Sequence, residues 1–335
     1  MRKLVWLLIL LAALCGAWWA AATAQMQSTL TGLLDSRRAA GWDVTLKDIS
    51  KAGFPLTLQN RLSGLAVAEA GRGVAFEAPQ LDLSAPVWWP GDLTARAPVA
   101  QAAFPAGALP LVLKMRDMRA DLALHPGLSL QLEGMLARST YLEVNGPDGL
   151  LLEADEPRME VTQSSDAEND YNIALLPGRI APGPLLRKVL GDGIGQPGGQ
   201  PILSARMAVT FARALDRHTA MTGTLPQIDA LTVENVDMAW GDVALATEGA
   251  LTFNSEGIPA GVLSLRVTNW PKLLDAGERA GFLPPSMRGQ VDTMLRLLEA
   301  RGGTAGGLDL DLVFAEGQMV LAGIPLGAAP RLIQP

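Results

Sequence analysis

Hydrophobic and polar residues along this chain follow two periods. Leu4 to Ala22 carries no charge and follows Arg2-Lys3. From Gln25 to Ala40 apolar residues recur at helical spacing, as Met26, Leu30, Leu33 and Leu34. Arg37-Arg38 fall in the last turn, where cations favour the helix dipole, and Gly41 is the stop. From Trp42 the period drops to two. Trp42, Val44 and Leu46 alternate with polar residues, as do Leu56 and Leu58 after Gly53-Phe54-Pro55. Val74, Phe76 and Ala78 alternate up to Pro79, and Leu81, Leu83 and Ala85 resume on the other parity. That slip predicts a bulge or an edge position, because proline cannot donate into a ladder. Leu128, Leu130 and Leu132 continue the pattern. One-sided strands of this kind belong to antiparallel sheets with one covered face.

Turn chemistry agrees with the strands. Asn145-Gly146-Pro147-Asp148-Gly149 and Asn254-Ser255-Glu256-Gly257 each join two apolar runs, and residues tolerant of positive φ mark hairpin loops. Leu203 to Phe211, Val236 to Trp240, Leu251-Phe253 and Leu263 to Val267 repeat the alternation. Pro271 to Ala280 and Ser286 to Arg301 read as helices, the second with Met287, Val291, Met294, Leu295 and Leu298 on one face. Leu308, Leu310, Leu312 and Phe314 return the chain to strand. The expected fold class is mainly β (α+β), with extended curved antiparallel sheets in two lobes, an N-terminal membrane or signal helix and a late helix pair. The expected segments are a leader over 1–24, an amphipathic helix over 25–41 and an N-terminal β lobe over 42–190. A Gly/Pro linker over 191–200 and a C-terminal β lobe over 201–335 follow, with helices at about 271–280 and 286–301.

The leader supports two readings. Leu4 to Leu14 is a sufficient signal-peptide core, and Ala22-Thr23-Ala24 is a small-residue cleavage site. A retained anchor needs about 20 apolar residues to cross a hydrocarbon core about 30 Å thick, and Leu4 to Ala22 is long enough. Trp6, Trp18 and Trp19 sit where interfacial aromatics are favoured. Either way Arg2 and Lys3 stay cytoplasmic and the remainder is exported. The expected location is the periplasm, anchored in the inner membrane through residues 4–22. The alternative is cleavage after Ala24 and a soluble periplasmic protein. A lipid-modified Cys15 is disfavoured by the bulky Leu14 before it. Cys15 is the only cysteine, so the exported part relies on its own core rather than on disulfides. A formal charge of −7 with no basic tract excludes nucleic acid as a partner.

Several of these motifs together resemble a known family. They are Gly41-Trp42-Asp43-Val44, Gly53-Phe54-Pro55-Leu56-Thr57-Leu58, the turn at Trp240-Gly241, Glu248-Gly249-Ala250-Leu251, a Gly-x-Leu-x-Leu strand from Gly261, and the helix pair. The chain is similar to the bacterial envelope family called domain of unknown function 2125 (DUF2125) over nearly all of its exported part. The resemblance implies an exported or inner-membrane-anchored protein and carries over no catalytic residues. A looser likeness, of architecture only, is to the AsmA-like envelope proteins, which combine an N-terminal anchor with curved β-sheets that move or shelter lipid.

Candidate chemistry is sparse. His125 and His218 stand alone, with no H-E-x-x-H pair and no cysteine partner, so they do not make a zinc site. A G-x-S-x-G elbow is missing, and Gly191, Gly193 and Gly195 mimic a dinucleotide fingerprint by composition only. Asp166, Glu168 and Asp170 lack the EF-hand spacing. Asp309 and Asp311 share a strand face opposite Leu308, Leu310 and Leu312, so the pair is expected to face water. No catalytic residue, metal or cofactor is expected. Apolar surface remains. Trp88-Trp89-Pro90 ends a strand, and Trp240 and Trp270 lie near turns. These tryptophans either plug the ends of a sandwich or line a groove or touch a membrane, as an apolar ring with a polar N–H suits. Trp88, Trp89, Trp240 and Trp270 are therefore the candidate contact residues. The expected function is a non-enzymatic envelope protein binding lipid or another apolar ligand on a curved β-sheet. The alternative is a periplasmic scaffold or assembly factor that binds a protein partner.

Overall fold

A computed structural model describes residues 2–69, 71–106, 109–190, 202–222, 224–281, 283–302 and 306–331, with side chains of the first helix from Gly16 onward. The protein is mainly β, its strands pair antiparallel, and a helix forms its N-terminus. The chain divides into two compact units, residues 1–142 with 216–224 and residues 143–215 with 225–335. The glycine-rich segment 191–200, expected as a linker, lies outside the described residues.

The first unit begins with α1 (Arg2–Ala39), in which the leader and the amphipathic segment run together as one helix. Then come β1 (Asp43–Thr45), β2 (Asp48–Ala52), β3 (Thr57–Glu69), β4 (Val74–Pro86), β5 (Asp92–Ala106), β6 (Leu109–Leu124) and β7 (Leu132–Arg138). β1 and β2 pair with successive stretches of β3, and β3 to β7 form a meander. Met26, Leu30 and Leu34 of α1 pack onto Val44, Leu62, Leu65, Leu81 and Leu83, so the helical stripe read from spacing faces this core. Among the residues whose side chains are described, which in α1 begin at Gly16, no helix is long and apolar enough to cross a membrane.

The parity change at Pro79 is real, but it is neither an edge nor a bulge confined to one strand. Buried positions switch from Ala78 to Leu81 on β4, from Leu62 to Leu65 on β3, and from Ala97 to Ala100 on β5. Ladder register is the same on both sides, with Leu62↔Leu81 and Leu65↔Ala78 in one ladder and Ala97↔Met118 and Val99↔Arg116 in another. The skipped positions include Gly64 at φ 61° and Asp117 at φ 49°. One dislocation therefore crosses four strands. It keeps apolar residues of both parities on the α1 side, in a single cluster.

β8 (Tyr141–Gly146) spans the boundary, and β9 (Gly149–Asp155), β10 (Arg158–Gln163), β11 (Asp170–Leu176), β12 (Arg179–Pro182), α2 (Pro184–Leu190) and β13 (Ile202–Phe211) follow. α3 (Arg217–Thr222) belongs to the first unit. The second unit resumes with β14 (Ile228–Trp240), β15 (Val243–Phe253), β16 (Pro259–Thr268), α4 (Trp270–Arg279), α5 (Pro285–Gly302), β17 (Gly307–Ala315), β18 (Gln318–Leu321) and β19 (Ile324–Ala328). β10, β11 and β13 to β19 form one antiparallel ladder in the second unit. Glycine is required at two places in it. At Gly249 (φ 144°) and Gly261 (φ 141°) a Cβ would lie 2.2 Å from a carbonyl oxygen of the neighbouring strand.

Candidate functional site

Alternation sorts the second unit's ladder into two chemically distinct faces. Cross-strand pairs Leu245↔Val267, Leu265↔Leu310 and Leu263↔Leu312 place leucine and valine on one side, and Arg266↔Asp309 and Ser264↔Asp311 place polar groups on the other. The apolar face is closed at both ends. At one end Trp270, Leu274, Leu295 and Leu298 of the helix pair cover Val267 and Leu308. At the other, Leu251, Phe253 and Phe314 are buried with Ile228, Met319 and Ala329. Leu245 and Leu310 pack against the first cluster and Leu263 and Leu312 against the second, Leu265 belongs to neither, and all five are only half-buried. They form an apolar strip across three strands, with the two obligate glycines beside it.

A trough of about 420 Å³ among these strands is lined by the polar-face residues Asn235, Asp237, Glu248, Arg266, Asp309 and Asp311 and also by Leu265 and Leu310. Three of its four carboxylates have partners. Arg266 Nε donates to Asp309 at 3.1 Å, Ser264 Oγ to Asp311 at 2.9 Å, and Asn235 Nδ2 to Asp237 at 2.6 Å. The carboxylates with perturbed acidity are likewise held by partners. Hydrogen bonding from Arg61 holds Asp82 below the usual carboxylate range. Burial pushes Asp121 up, but hydrogen bonds from Arg119 and Thr94 outweigh it and leave the group low. Lys272 does the same for Asp242. Such groups stay ionised near neutral pH and are poor proton donors. Among the described residues no cluster of three His, Cys, Asp or Glu could hold a metal ion. His125 Nδ1 lies 3.9 Å from Glu133, and His218 is the second residue of α3, with its backbone N–H donating to Asp216.

The four candidate tryptophans separate. Trp88 is 72% exposed, and Trp89 beside it is half-buried. Trp240 and Trp270 are buried, and both belong to the interior of the second unit rather than to any open surface. Trp270 Nε1 donates to Glu299 Oε2 at 3.1 Å, which satisfies its one polar atom. In the leader, Trp18 is exposed, Ala22 half-buried and Ala24 exposed; the side chains of Arg2 and Lys3 lie outside the described residues. Trp19 Nε1 donates to Thr57 O at 2.8 Å, and its ring meets Phe54 edge-on at 5.3 Å. Thr23 is fully buried. Phe54 and Leu56, read from sequence only as the start of a strand, are 61% and 65% exposed. The available signal was two large apolar residues flanking a proline in a turn.

A family model described as "Uncharacterized protein conserved in bacteria (DUF2125)" matches residues 19–330, and the chain belongs to that family. No curated protein and no solved structure matches it.

Proposed function

We propose that this is a non-enzymatic envelope protein, held at a membrane by α1, that carries a lipid or similarly apolar ligand on the sheet of its second unit. The observation that supports this reading is the row of half-buried leucines that runs across the apolar face from one closed end to the other, centred on Leu265. Large apolar side chains left partly open in a row are a binding feature rather than a packing one. The tether is supported by the uncharged run Leu4 to Ala22 and by the integration of the same helix into the first unit through Trp19, Thr23 and Leu34. The family match likewise begins at Trp19, ahead of the small-residue triplet.

The test is native mass spectrometry of the full chain released from membranes in mild detergent, compared with Leu265→Glu and with Thr252→Glu on the opposite face. Co-purified lipid that is lost only in Leu265→Glu is the expected result. An empty parent protein overturns the reading. A stoichiometric protein partner on the same strip, in place of lipid, establishes the scaffold reading instead.

A further inference from the structure

We propose that the end of the first unit where α1 joins the sheet is a membrane-contact surface, and that Trp18, Phe54, Leu56 and Trp88 enter the uncharged interfacial zone of a lipid bilayer there. The inference rests on the tether reading and specifies which face of the first unit the bilayer meets. Three segments converge at this place. Trp18 is on α1, Phe54 and Leu56 are in the β2–β3 loop, and Trp88 is in the β4–β5 loop. They are joined by contacts: Trp19 bridges α1 to Phe54 and Thr57, and Val87 N–H donates to Leu56 O at 3.1 Å. All four residues are more than 60% exposed. A folded protein in water rarely gathers that much large apolar side chain without a partner.

The local chemistry selects a bilayer as that partner. Neither Gly53–Leu58 nor Pro86–Gly91 contains a charged residue, so pressing both loops into an interface desolvates no ion. The uncharged stretch of α1 continues N-terminally from Trp18 to Leu4, about 20 Å of helix at 1.5 Å per residue. Exposed tryptophan, phenylalanine and leucine gathered where such a helix meets a folded unit are the residue types of an interfacial belt. The other end of the β3–β4 hairpin carries the Arg72–Glu69 ion pair instead.

The experiment uses the full-length chain with Cys15→Ala, reconstituted into neutral phosphatidylcholine vesicles. Nitroxide labels are placed in turn at Leu56→Cys, Trp88→Cys and, as the control, Arg72→Cys. Power saturation compares collision with lipid-soluble oxygen against a water-soluble nickel complex. The expected result is a severalfold higher oxygen-to-nickel ratio at 56 and 88 than at 72, the same with or without added anionic lipid. Labels at 56 and 88 as accessible to nickel as the label at 72, on protein that floats with the vesicles, overturn this inference alone. Protein that stays behind on flotation overturns the tether reading and this inference together. Contact that requires anionic lipid overturns the assignment to an uncharged surface. Melting curves matching the parent confirm that labelling left the fold intact.

Discussion

Truncating Trp270 and truncating Trp88 should have very different consequences, although the sequence offers them as equivalent. Trp270 is 1% exposed, lies against Val267 and Leu308, and carries the Arg296 guanidinium 5.8 Å from its ring centroid. Removing a fully buried tryptophan costs about 3–5 kcal/mol through lost transfer energy and the cavity left behind. Trp270→Ala also leaves Glu299 without its indole donor, although Gly306 N–H still bonds that carboxylate at 2.5 Å. For a folding unit of this size each kcal/mol corresponds to roughly 2–4 °C, so the melting temperature of the second unit should fall by about 6–20 °C. Trp88→Ala removes a ring that is already mostly in water and should change stability by less than about 0.5 kcal/mol. Differential scanning calorimetry of the two variants reads the contrast directly. Trp270→Ala melting within about 2 °C of the parent (a shift worth no more than about 1 kcal/mol), or Trp88→Ala falling by about 6 °C or more, would refute the assignment of one to the core and the other to the surface.

Three further outcomes follow from the same geometry. Gly261→Ala should destabilise the second unit by about 1–3 kcal/mol, seen as a lower urea midpoint, because the left-handed φ and the 2.2 Å approach to the Ala250 carbonyl both exclude a Cβ. Trp19→Ala should lower the melting temperature of the first unit, and Trp19→Phe should recover part of the loss by keeping the ring on Phe54 while giving up the bond to Thr57. Asp82 and Asp121 have folded values depressed below the unfolded carboxylate range, so their contribution is present above about pH 4 and is lost as pH falls through the lower folded values. Acid titration of stability should therefore show a decline below about pH 4 that is shallower in Asp82→Asn.

Much of the β architecture was legible because period-two alternation and hairpin turns are local signals. Leu308 to Phe314 and Leu263 to Val267 read correctly as one-sided strands, and the late helices announced themselves through Pro271, Gly281 and a 3.6-residue stripe. The parity slip at Pro79 was visible too, but its meaning was not. That it is one line shared by β3, β4, β5 and β6 depends on long-range register, which a single strand does not encode. The tryptophans show the same limit. Trp88 and Trp270 each stand two residues past a strand end and within two residues of a proline, and only the packing of α4 and α5 separates a plug from a surface ring. The polar trough was half legible, since Asp309 and Asp311 were placed on the water-facing side while their partners Arg266 and Ser264 lie 43 and 47 residues away in sequence.

The half-open strip also bounds what kind of ligand protein this can be. Fully burying a leucine is worth about 2 kcal/mol, and each of the five leucines keeps at most about a third of its surface open, so finishing their burial is worth at most about 3.5 kcal/mol in total. Taken alone, that corresponds to a dissociation constant of about a few millimolar. Binding also has to overcome the loss of ligand freedom, so the strip by itself cannot store a lipid tightly. Proximity changes this balance. A sheet kept at a membrane by α1 meets lipid at a high local concentration, where weak contact suffices for occupancy and permits rapid exchange. On the proposed reading the protein is therefore suited to transient handling of an apolar ligand. A ligand that survives long dialysis in the absence of membranes would point to a closed cavity and away from this strip.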